Sequence, residues 1–548
     1  MSKFNVKEKV RPIRRPDATN KHGADAYATP EKLDLASRML TSFLNGKYYE
    51  NEKLETSKII ELLKKIRDKK FSAKAGIFAR NEFGMRSVTH VLFPELAREM
   101  SRLRKDGYEG DDWVRRAITR AVRRPDDIVE MLGYWDTLGE KARPAAFKRG
   151  LRDAFDKFDD YQLRKWSSQN SSKTSWKLVD AIRILRPIPT DRNRKALDEL
   201  TSPSKVVINT RQAKMVKAGK DAVASVGKNA SAKVVEKAKK EAKANVWEEI
   251  LSNPSKAPIE DTLNNLRGVM EDAPHMIDAA IEVITNRDAI RKSLIFPFKY
   301  INAELAIKAR TTASPIQRKV IAALSDGLDI ASENIPELKN TLVVVDVSDS
   351  MKRPVSISPE QMKRYERFGT QPMSRKQAAS VMGAMLAKAG YADIMIFASG
   401  AKYISYNPRD SVSTICQNIH SNVGCYGHGT NFNAIFDNAK RKFDRIVIFS
   451  DMQGWMGRDQ WNNQMSFHDP LFRREIGAPQ TSFADYCRQY GKPWIYSVDL
   501  GGYGTLMFPS DGSKVVSLAG YSEKIFDLME GAEKDPNVLI NEIEKIEF

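Results

Sequence analysis

The feature that most constrains this chain is a five-residue motif, Asp-Val-Ser-Asp-Ser at residues 346–350, which directly follows the apolar run Leu-Val-Val-Val at residues 342–345. A short apolar run of this kind is typical of a strand that is buried on both faces of a parallel sheet. The motif then places the oxygens of Asp346, Ser348 and Ser350 in the loop after that strand. Hard oxygen ligands suit Mg²⁺, which takes few protein groups and retains several waters.

Two later segments supply the rest of a metal site. Thr430 lies in a glycine-flanked loop before residues 432–443, in which apolar side chains recur periodically. Asp451 directly follows a second apolar run at residues 446–450. The predicted ligands of Mg²⁺, or another divalent cation, are Asp346, Ser348, Ser350, Thr430 and Asp451. This ordered set resembles a metal-ion-dependent adhesion site, so residues 341–548 resemble a von Willebrand factor A domain with a doubly wound α/β fold. Asp and Ser are also common turn residues, so the same fold without a bound metal remains an alternative.

Composition limits the class of protein. A chain of 548 residues is expected to form at least two domains. The three cysteines, Cys416, Cys425 and Cys487, have no metal-ligand spacing, which favours a reducing compartment over a disulfide framework. We find no apolar stretch of the roughly 18 residues that a membrane span needs. The polar residues 1–20 do not resemble a secretory signal, and we therefore expect a cytoplasmic protein with no membrane partner.

Charge is distributed unevenly along the chain. Residues 341–548 contain 23 basic and 23 acidic side chains, so the whole net charge of +19 resides in residues 1–340. A basic excess confined to one part of a chain indicates a polyanionic partner, and nucleic acid before membrane. The alternative is a basic surface that serves only solubility.

The basic part has the pattern of consecutive helices. Thr29 and Pro30 form a helix start, and similar apolar periodicity continues to about residue 332 without a β-alternating segment. In one such run, residues 88–100, we expect Pro94 to shift the helix start by a few residues. The pattern predicts an α-solenoid of HEAT or armadillo type at residues 25–340, after a basic, flexible N-terminus at residues 1–24. An ordinary globular helical domain is the alternative.

Residues 205–246 differ from the remainder of the helical part. Lys, Ala and Val dominate this segment, and six lysines cluster between residues 228 and 243. It could be an exposed helix pair or a flexible excursion. A solvated charged face is the commoner meaning of such a run, and an arm that contacts RNA is the more specific one.

The order of a basic helical part followed by an A domain resembles the Ro family of TROVE-domain RNA-binding proteins. Several short stretches also resemble that family. They are Arg-Arg-Pro at residues 123–125, Arg-Gly-Leu-Arg at 149–152, the segment from Ser175 to Pro187, and Phe-Pro-Phe at 296–298. Together with the A-domain motifs they extend over nearly the whole chain.

The resemblance implies a ring of HEAT-like helical repeats that is closed by the A domain. In the family a basic cavity accepts single-stranded 3′ ends of misfolded or unprocessed RNAs, and the outer surface binds a small Y RNA. A 3′-to-5′ exoribonuclease is a further partner in bacteria, and we expect a monomer. The basic residues in the matching segments that the resemblance places on RNA are Arg149, Arg152, Arg164, Lys165, Arg183 and Arg186. One departure is Ile184, where several relatives have an RNA-contacting His, and Ser167 and Ser168 replace a basic pair.

The expected activity is binding rather than catalysis. Nothing near the predicted metal site resembles a nucleophile with an oriented base, and His428 lies in a glycine-flanked turn. Two other interpretations remain open. The chain could be an A-domain adaptor that grips a partner protein of ATPase or chelatase type, with the helices as a scaffold. It could also be a metal-dependent ribonuclease, although such enzymes usually gather several carboxylates around the metal.

Overall fold

The computed structural model describes most of the chain. The described residues are 16–20, 23–41, 53–105, 112–140, 142–167, 176–202, 211–226, 231–293, 295, 297–309, 314–333, 335–354, 373–422, 427, 429–454, 480–508, 514–522, 524–535 and 537–548. Among these residues, no helix combines the length and the apolar character that crossing a bilayer requires.

The first part of the chain forms a short strand pair and then ten helices in the described segments. The elements are β1 (Ala18–Thr19), β2 (Asp25–Ala28), α1 (Glu31–Thr41), α2 (Lys53–Lys65), α3 (Lys69–Asn81), α4 (Ser87–Lys105), α5 (Trp113–Ala121), α6 (Pro125–Thr137), α7 (Ala145–Asp153), α8 (Asp160–Ser167), α9 (Leu178–Leu185) and α10 (Arg194–Thr201). Helix α6 begins with Pro125, whose missing N–H costs nothing at a helix start, and has Asp126 and Asp127 in its first turn. Helices pack on near neighbours in sequence, as α4 does on α6 and α5 on α7, which is the packing of a helical solenoid.

Seven more helices complete this region in the described residues. They are α11 (Arg211–Ser225), α12 (Ala232–Leu251), α13 (Ile259–Asp272), α14 (Ile277–Ile284), α15 (Arg287–Lys292), α16 (Phe298–Lys308) and α17 (Pro315–Ser332). Helices α11 and α12 pack on each other as a hairpin, so the described part of residues 205–246 is a helix pair. Residues 203–210 and 227–230, Ser168, Ser175 and Phe296 lie outside the described residues, as do residues 1–15, 21 and 22 of the predicted flexible N-terminus.

The C-terminal part is a doubly wound α/β domain, as predicted. Its strands are β3 (Thr341–Asp346), β4 (Asp393–Phe397), β5 (Ala401–Ile404), β6 (Arg445–Ser450), β7 (Trp494–Asp499), β8 (Thr505–Leu506) and β9 (Val515–Ala519). Its helices are α18 (Arg375–Gly390), α19 (Val412–Ser421), α20 (Asn433–Asn438), α21 (Gln480–Tyr490), α22 (Lys524–Ala532) and α23 (Val538–Glu544). The six-stranded sheet has the order β5-β4-β3-β6-β7-β9, with β5 antiparallel to β4 and the remaining neighbours parallel.

The sheet is built around β3, in which every residue is buried. In register, Val344 lies opposite Met395 of β4 and Ile448 of β6. Burial on both faces explains the uninterrupted apolar run that the sequence shows at this strand. Because β3, β6 and β7 are parallel neighbours, their carboxyl ends meet at one edge of the sheet.

The start of the helical region packs against the α/β domain. Strand β2 pairs with β8, with Tyr27 opposite Leu506. The Lys32 ammonium donates a hydrogen bond to Glu544 at 2.6 Å, and the Trp113 ring stacks on Phe548 with ring centroids 5.4 Å apart.

The end of the helical region contacts the same domain. Asp329 of α17 accepts a hydrogen bond at 2.8 Å from the N–H of Val412, the first residue of α19, and pairs with Lys388 at 2.9 Å. The buried Glu304 of α16 accepts a hydrogen bond at 3.1 Å from Ser413. Both ends of the helical array therefore lie on the α/β domain, which closes the array into a ring.

Candidate metal centre and nucleic-acid interface

Two aspartates meet at the carboxyl edge of the central sheet. Asp346 ends β3 and Asp451 follows β6, its parallel neighbour, and both side chains are fully buried. The Ser450 hydroxyl donates to Asp346 Oδ2 at 2.6 Å, and the N–H of Ser348 donates to Asp346 Oδ1 at 2.9 Å. Adjacent parallel strands thus bring together two carboxylates that are far apart in sequence.

The two hydroxyls of the motif connect these carboxylates. The Ser348 and Ser350 hydroxyl oxygens lie 3.2 Å apart, and the Ser350 hydroxyl donates to Asp451 Oδ1 at 3.3 Å. Four of the five predicted metal ligands therefore belong to one hydrogen-bonded group.

Thr430, the fifth predicted ligand, lies in a loop held beside the same sheet edge. Its side chain is buried. The N–H of Gly429 donates to the Ser399 hydroxyl at 3.0 Å, and the N–H of Asn431 donates to the carbonyl of Ala398 at 2.8 Å. Ala398 and Ser399 directly follow β4, the other neighbour of β3. His428 lies outside the described residues.

Burial, with a smaller effect of the nearby Asp451, raises the pKa of two carboxyl groups at this edge of the sheet. Burial, followed by the nearby Asp451, raises the pKa of Asp346 to about 7. Asp499, which ends β7, is also buried, and burial raises its pKa to about 6 although the N–H groups of Gly501 and Gly502 donate to it. A dication bound by these oxygens would relieve this concentration of negative charge, so the residues fit a hard divalent cation.

Within the described segments, no group of three or more His, Cys, Asp or Glu side chains is arranged to hold a metal. The candidate ligand set therefore combines the carboxylates of Asp346 and Asp451 with hydroxyl oxygens. That mixture suits Mg²⁺, which usually keeps several waters and binds only one or two carboxylates.

An arginine that the sequence motif did not indicate lies beside this centre. Arg375 is the first residue of α18, directly after Ser374, whose hydroxyl caps that helix. The Nη1 atom of Arg375 lies 3.6 Å from Asp451 Oδ2. The same atom donates a hydrogen bond to the Tyr503 hydroxyl at 2.8 Å. Arg353 donates to the same hydroxyl at 3.2 Å. An anion at the metal would thus meet a guanidinium as well. The segment 455–479, which follows Asp451, lies outside the described residues.

The six predicted RNA contacts fall into two groups. Arg149, Arg183 and Arg186 are exposed. Arg152, Arg164 and Lys165 are half-buried. Arg164 forms a bidentate pair with Glu199, with N–O distances of 2.8 and 3.1 Å. Because that pair occupies its guanidinium, Arg164 fits an ion pair between α8 and α10 better than a phosphate contact.

A second basic group, which we name the α5–α6 cluster, consists of Arg120, Arg123, Arg124 and Lys157. The three arginines are exposed between the end of α5 and the start of α6. The Lys157 ammonium donates to the carbonyls of Thr119 and Val122, the latter at 3.0 Å. Burial of this ammonium, and next Arg120 and Arg123, lower the pKa of Lys157 to about 8. Arg120 and Arg123 thus lie close enough to Lys157 to add to the effect of burial.

An aromatic ring lies beside the α5–α6 cluster. The half-buried Trp166 has the guanidinium carbon of Arg124 at 5.2 Å from its ring centroid, and the ammonium of Lys165 at 6.0 Å. Basic groups next to a partly exposed indole are typical of single-strand binding surfaces, where a base stacks on the ring. Of this arrangement the sequence analysis identified only Lys165. The stretch Arg123-Arg124-Pro125 resembles the Ro family, but that resemblance assigns it no RNA contact.

The buried carboxylate of Asp127 holds the main chain of the α5–α6 cluster in place. Asp127 is fully buried and accepts hydrogen bonds at 3.0 Å from the N–H groups of both Arg123 and Arg124. It also accepts one from Arg80 at 2.9 Å and one from Arg86 at 3.0 Å. The start of α6, and hence the position of the exposed Arg123 and Arg124 that precede it, is fixed by this buried network.

Arg124 of the α5–α6 cluster lies near the second half of the helical array. Burial raises the pKa of Glu260 on α13, but Lys299, Arg124 and Arg86 outweigh burial and hold that pKa below its usual value. Arg124 therefore lies close enough to α13 to act on a carboxylate there. The part of the α5–α6 cluster that contains Arg124 is therefore near α13.

Comparison with known proteins supports the architecture. The sequence matches no protein-family model and no curated protein. The fold matches the crystal structure of the Ro (RSR) protein of Deinococcus radiodurans with a TM-score of 0.56, over 94% of this chain and 99% of that chain. The two sequences are 16% identical. The chain thus has the fold of a Ro protein over almost its whole length, which confirms the architecture that the resemblance implied.

Proposed function

We propose that this chain is a non-enzymatic RNA-binding protein of the Ro type, which acts in RNA quality control. It binds single-stranded 3′ ends of misfolded or unprocessed RNAs in the interior of the helical ring. The observation that carries the proposal is the α5–α6 cluster, whose Arg124 lies 5.2 Å from the centroid of the Trp166 ring and close enough to α13 to act on Glu260. The excess charge of +19 in residues 1–340 agrees with it.

The mechanism is selection by shape and charge. Arg120, Arg123 and Arg124 neutralise phosphates without reading the sequence, which makes affinity sensitive to salt. Trp166 offers a face on which one base stacks, and every base has such a face. A free single strand can enter a closed ring, whereas a fully paired end is too wide and presents no exposed base.

We extend the proposal to a second RNA surface on the outside of the ring. It would be formed by Arg183 and Arg186, which are exposed on and after α9. A structured small RNA of the Y type would bind there and connect the ring to a 3′-to-5′ exoribonuclease. Ile184 is 47% exposed at the position where relatives have a His, so this contact would be apolar in the present chain. The working form would be a cytoplasmic monomer.

The A domain would hold Mg²⁺ or another dication through Asp346, Ser348, Ser350, Thr430 and Asp451. Bound there, the cation would supply an open coordination position for a carboxylate. Arg375, 3.6 Å from Asp451, would orient that carboxylate by a second contact. This use of the site is binding of a partner protein, and it is compatible with RNA binding by the ring.

The first experiment is equilibrium RNA binding by the purified chain at two salt concentrations. The ligands are a hairpin with a single-stranded 3′ tail, the same hairpin with a blunt end, and duplex DNA of equal length. We expect tight binding of the tailed hairpin alone, with affinity that falls steeply as salt rises. Equal and weak binding of all three ligands would contradict the proposal and favour the adaptor interpretation.

Substitutions identify the surface. Charge reversal at Arg123 and Arg124 removes two phosphate contacts, so the salt slope should fall by about 1.4, at about 0.7 per phosphate for a single strand. Trp166→Ala should cost about 1–3 kcal/mol for one unstacked base. Charge reversal at Arg149 and Arg152 tests the residues that the sequence indicated. Arg409→Glu, an exposed arginine of the A domain, is the matched control.

The metal is tested separately by isothermal titration calorimetry with Mg²⁺ and Mn²⁺. Asp346→Ala and Asp451→Ala should abolish cation binding, because each removes one of the two carboxylates in the candidate set. RNA affinity should stay within about twofold, because no residue of the α5–α6 cluster belongs to the candidate ligand set. Cation binding that survives both substitutions would contradict the assigned ligands.

A further inference from the structure

The hairpin of α11 and α12 carries an apolar groove on its surface. The groove has a volume of about 460 Å³, and its floor is formed by Val216 and Val223 on either side of Gly219. Val216 is 54% exposed and Val223 39% exposed. Exposed valines along one helix face are unusual, because helices normally turn such a face toward a packing partner.

The hairpin that presents this groove is attached to the ring through α12, which packs on α13. Near the end of α12, Val246, Trp247 and Leu251 are buried. Lys214 of α11 forms an ion pair with Glu249 of α12. The valines of the groove are therefore exposed on an anchored pair of helices, which is a platform for binding.

The rim of the groove is basic. Lys220, Lys239 and Lys243 line it, and the lining contains no acidic side chain. Lys243 lies 3.9 Å from Asp272. In the described part of the chain, neither Lys220 nor Lys239 forms an ion pair. Positive charge around an apolar floor matches a ligand with an apolar stripe between acidic residues.

The floor and rim together select one kind of ligand. A Cβ built on Gly219 would meet nothing within 4 Å, so a helix backbone can approach closely there. A second copy of this chain would bring its own lysines against the rim, which is unfavourable. The lining residues Met215, Val216 and Val223 offer no aromatic face for a nucleic-acid base.

We propose that this groove binds an acidic amphipathic helix of a partner protein, which packs as a third helix on the hairpin. The apolar stripe of the partner helix lies on Val216, Gly219 and Val223, and its flanking Asp and Glu residues pair with Lys220 and Lys239. This inference is independent of RNA binding by the ring, because no residue of the α5–α6 cluster takes part.

The test uses the full-length protein and two synthetic peptides of about three heptads with the same leucine positions. One peptide has glutamates flanking the leucine stripe and the other has lysines. Fluorescence anisotropy should show that the acidic peptide binds at least about tenfold more tightly than the basic one. Equal affinities, or no binding of either peptide, would overturn the proposal.

Matched variants locate the binding. Gly219→Leu fills the groove and should weaken the acidic peptide at least about tenfold, whereas Gly219→Ala should leave it nearly unchanged, since both residues favour the helix over Gly. Lys220→Glu with Lys239→Glu should reverse the peptide preference, and Lys217→Glu, outside the groove lining, should not. If single-stranded RNA displaces the acidic peptide and loses affinity in the Lys220→Glu/Lys239→Glu variant, the groove is a phosphate-binding surface and the proposal fails.

Discussion

Replacing Asp127 by Asn tests whether the buried network organises the α5–α6 cluster. Its side chain is fully buried and accepts bonds from Arg80 at 2.9 Å and Arg86 at 3.0 Å. The main-chain N–H groups of Arg123 and Arg124 also donate to it, both at 3.0 Å, and His90 Nε2 lies 2.8 Å from Asp127 Oδ1. Asparagine keeps the shape but removes the charge, and its NH₂ group would face other donors.

The expected loss in the free energy of unfolding depends on Arg80, which stays buried after Asp127 is replaced. Arg80 is 6% exposed, and its only ion pair within the described residues is with Asp127. Removing one partner of a buried pair typically costs 3–5 kcal/mol, because the other charge stays desolvated. We expect a loss of about that size for Asp127→Asn, with Arg80 contributing most of it.

The assay is urea unfolding, monitored by hydrogen exchange of the backbone amides in α4 and α6. Exchange of these amides reports on the stability of this part of a multidomain chain. Asp126→Asn is the matched control, since Asp126 is more exposed and pairs only with Arg86 among the described residues. RNA affinity of Asp127→Asn should also fall while that of the control is retained. A loss below about 1 kcal/mol, or one no larger than that of the control, would refute the reasoning.

Three further outcomes are expected. Gly150→Ala should cost about 1–3 kcal/mol in urea unfolding, because its Cβ would lie 2.7 Å from the carbonyl oxygen of Arg115. The pKa of Lys157 is lowered to about 8, so RNA affinity should fall between pH 7 and pH 9, and Lys157→Arg should remove this fall because arginine stays charged. Burial holds the pKa of His90 below its usual value. The unfolded chain then binds a proton that the native chain does not, so stability should decrease below about pH 6.5, and less so in His90→Gln.

The architecture could be predicted because it rests on patterns that burial enforces. The apolar runs at residues 342–345 and 446–450 became the central strands β3 and β6. Helix α3 is buried nearly all round, so its sequence shows no single apolar face that would mark its bounds. Pro94 did not shift the start of α4. The helix begins at Ser87 and continues through Pro94, where packing of fully buried neighbours such as Phe93 and Leu96 offsets the lost hydrogen bond.

The sequence indicates the metal ligands better than it indicates the RNA-contacting residues. The hydrogen-bonded group around Asp346 and Asp451 follows from topology, since parallel neighbouring strands must end at the same edge. A phosphate-binding arginine has no such constraint, because any exposed helix position can hold one. Arg164 has the expected residue type and location but is paired with Glu199. Arg120 forms part of the α5–α6 cluster without any motif that marks it.

One loop connects the metal centre to the seam of the ring. Asp499 lies beside Asp451, and Tyr503 accepts hydrogen bonds from Arg375 and Arg353. Immediately afterwards, Leu506 pairs with Tyr27 near the other end of the chain. A rearrangement at the metal centre would therefore reach the strand pair that closes the ring. For this reason, RNA affinity and hydrogen exchange should be measured together in Asp346→Ala. A loss of RNA affinity with faster hydrogen exchange of the β2 and β8 amides would indicate that the ring has opened, and not that the metal touches RNA.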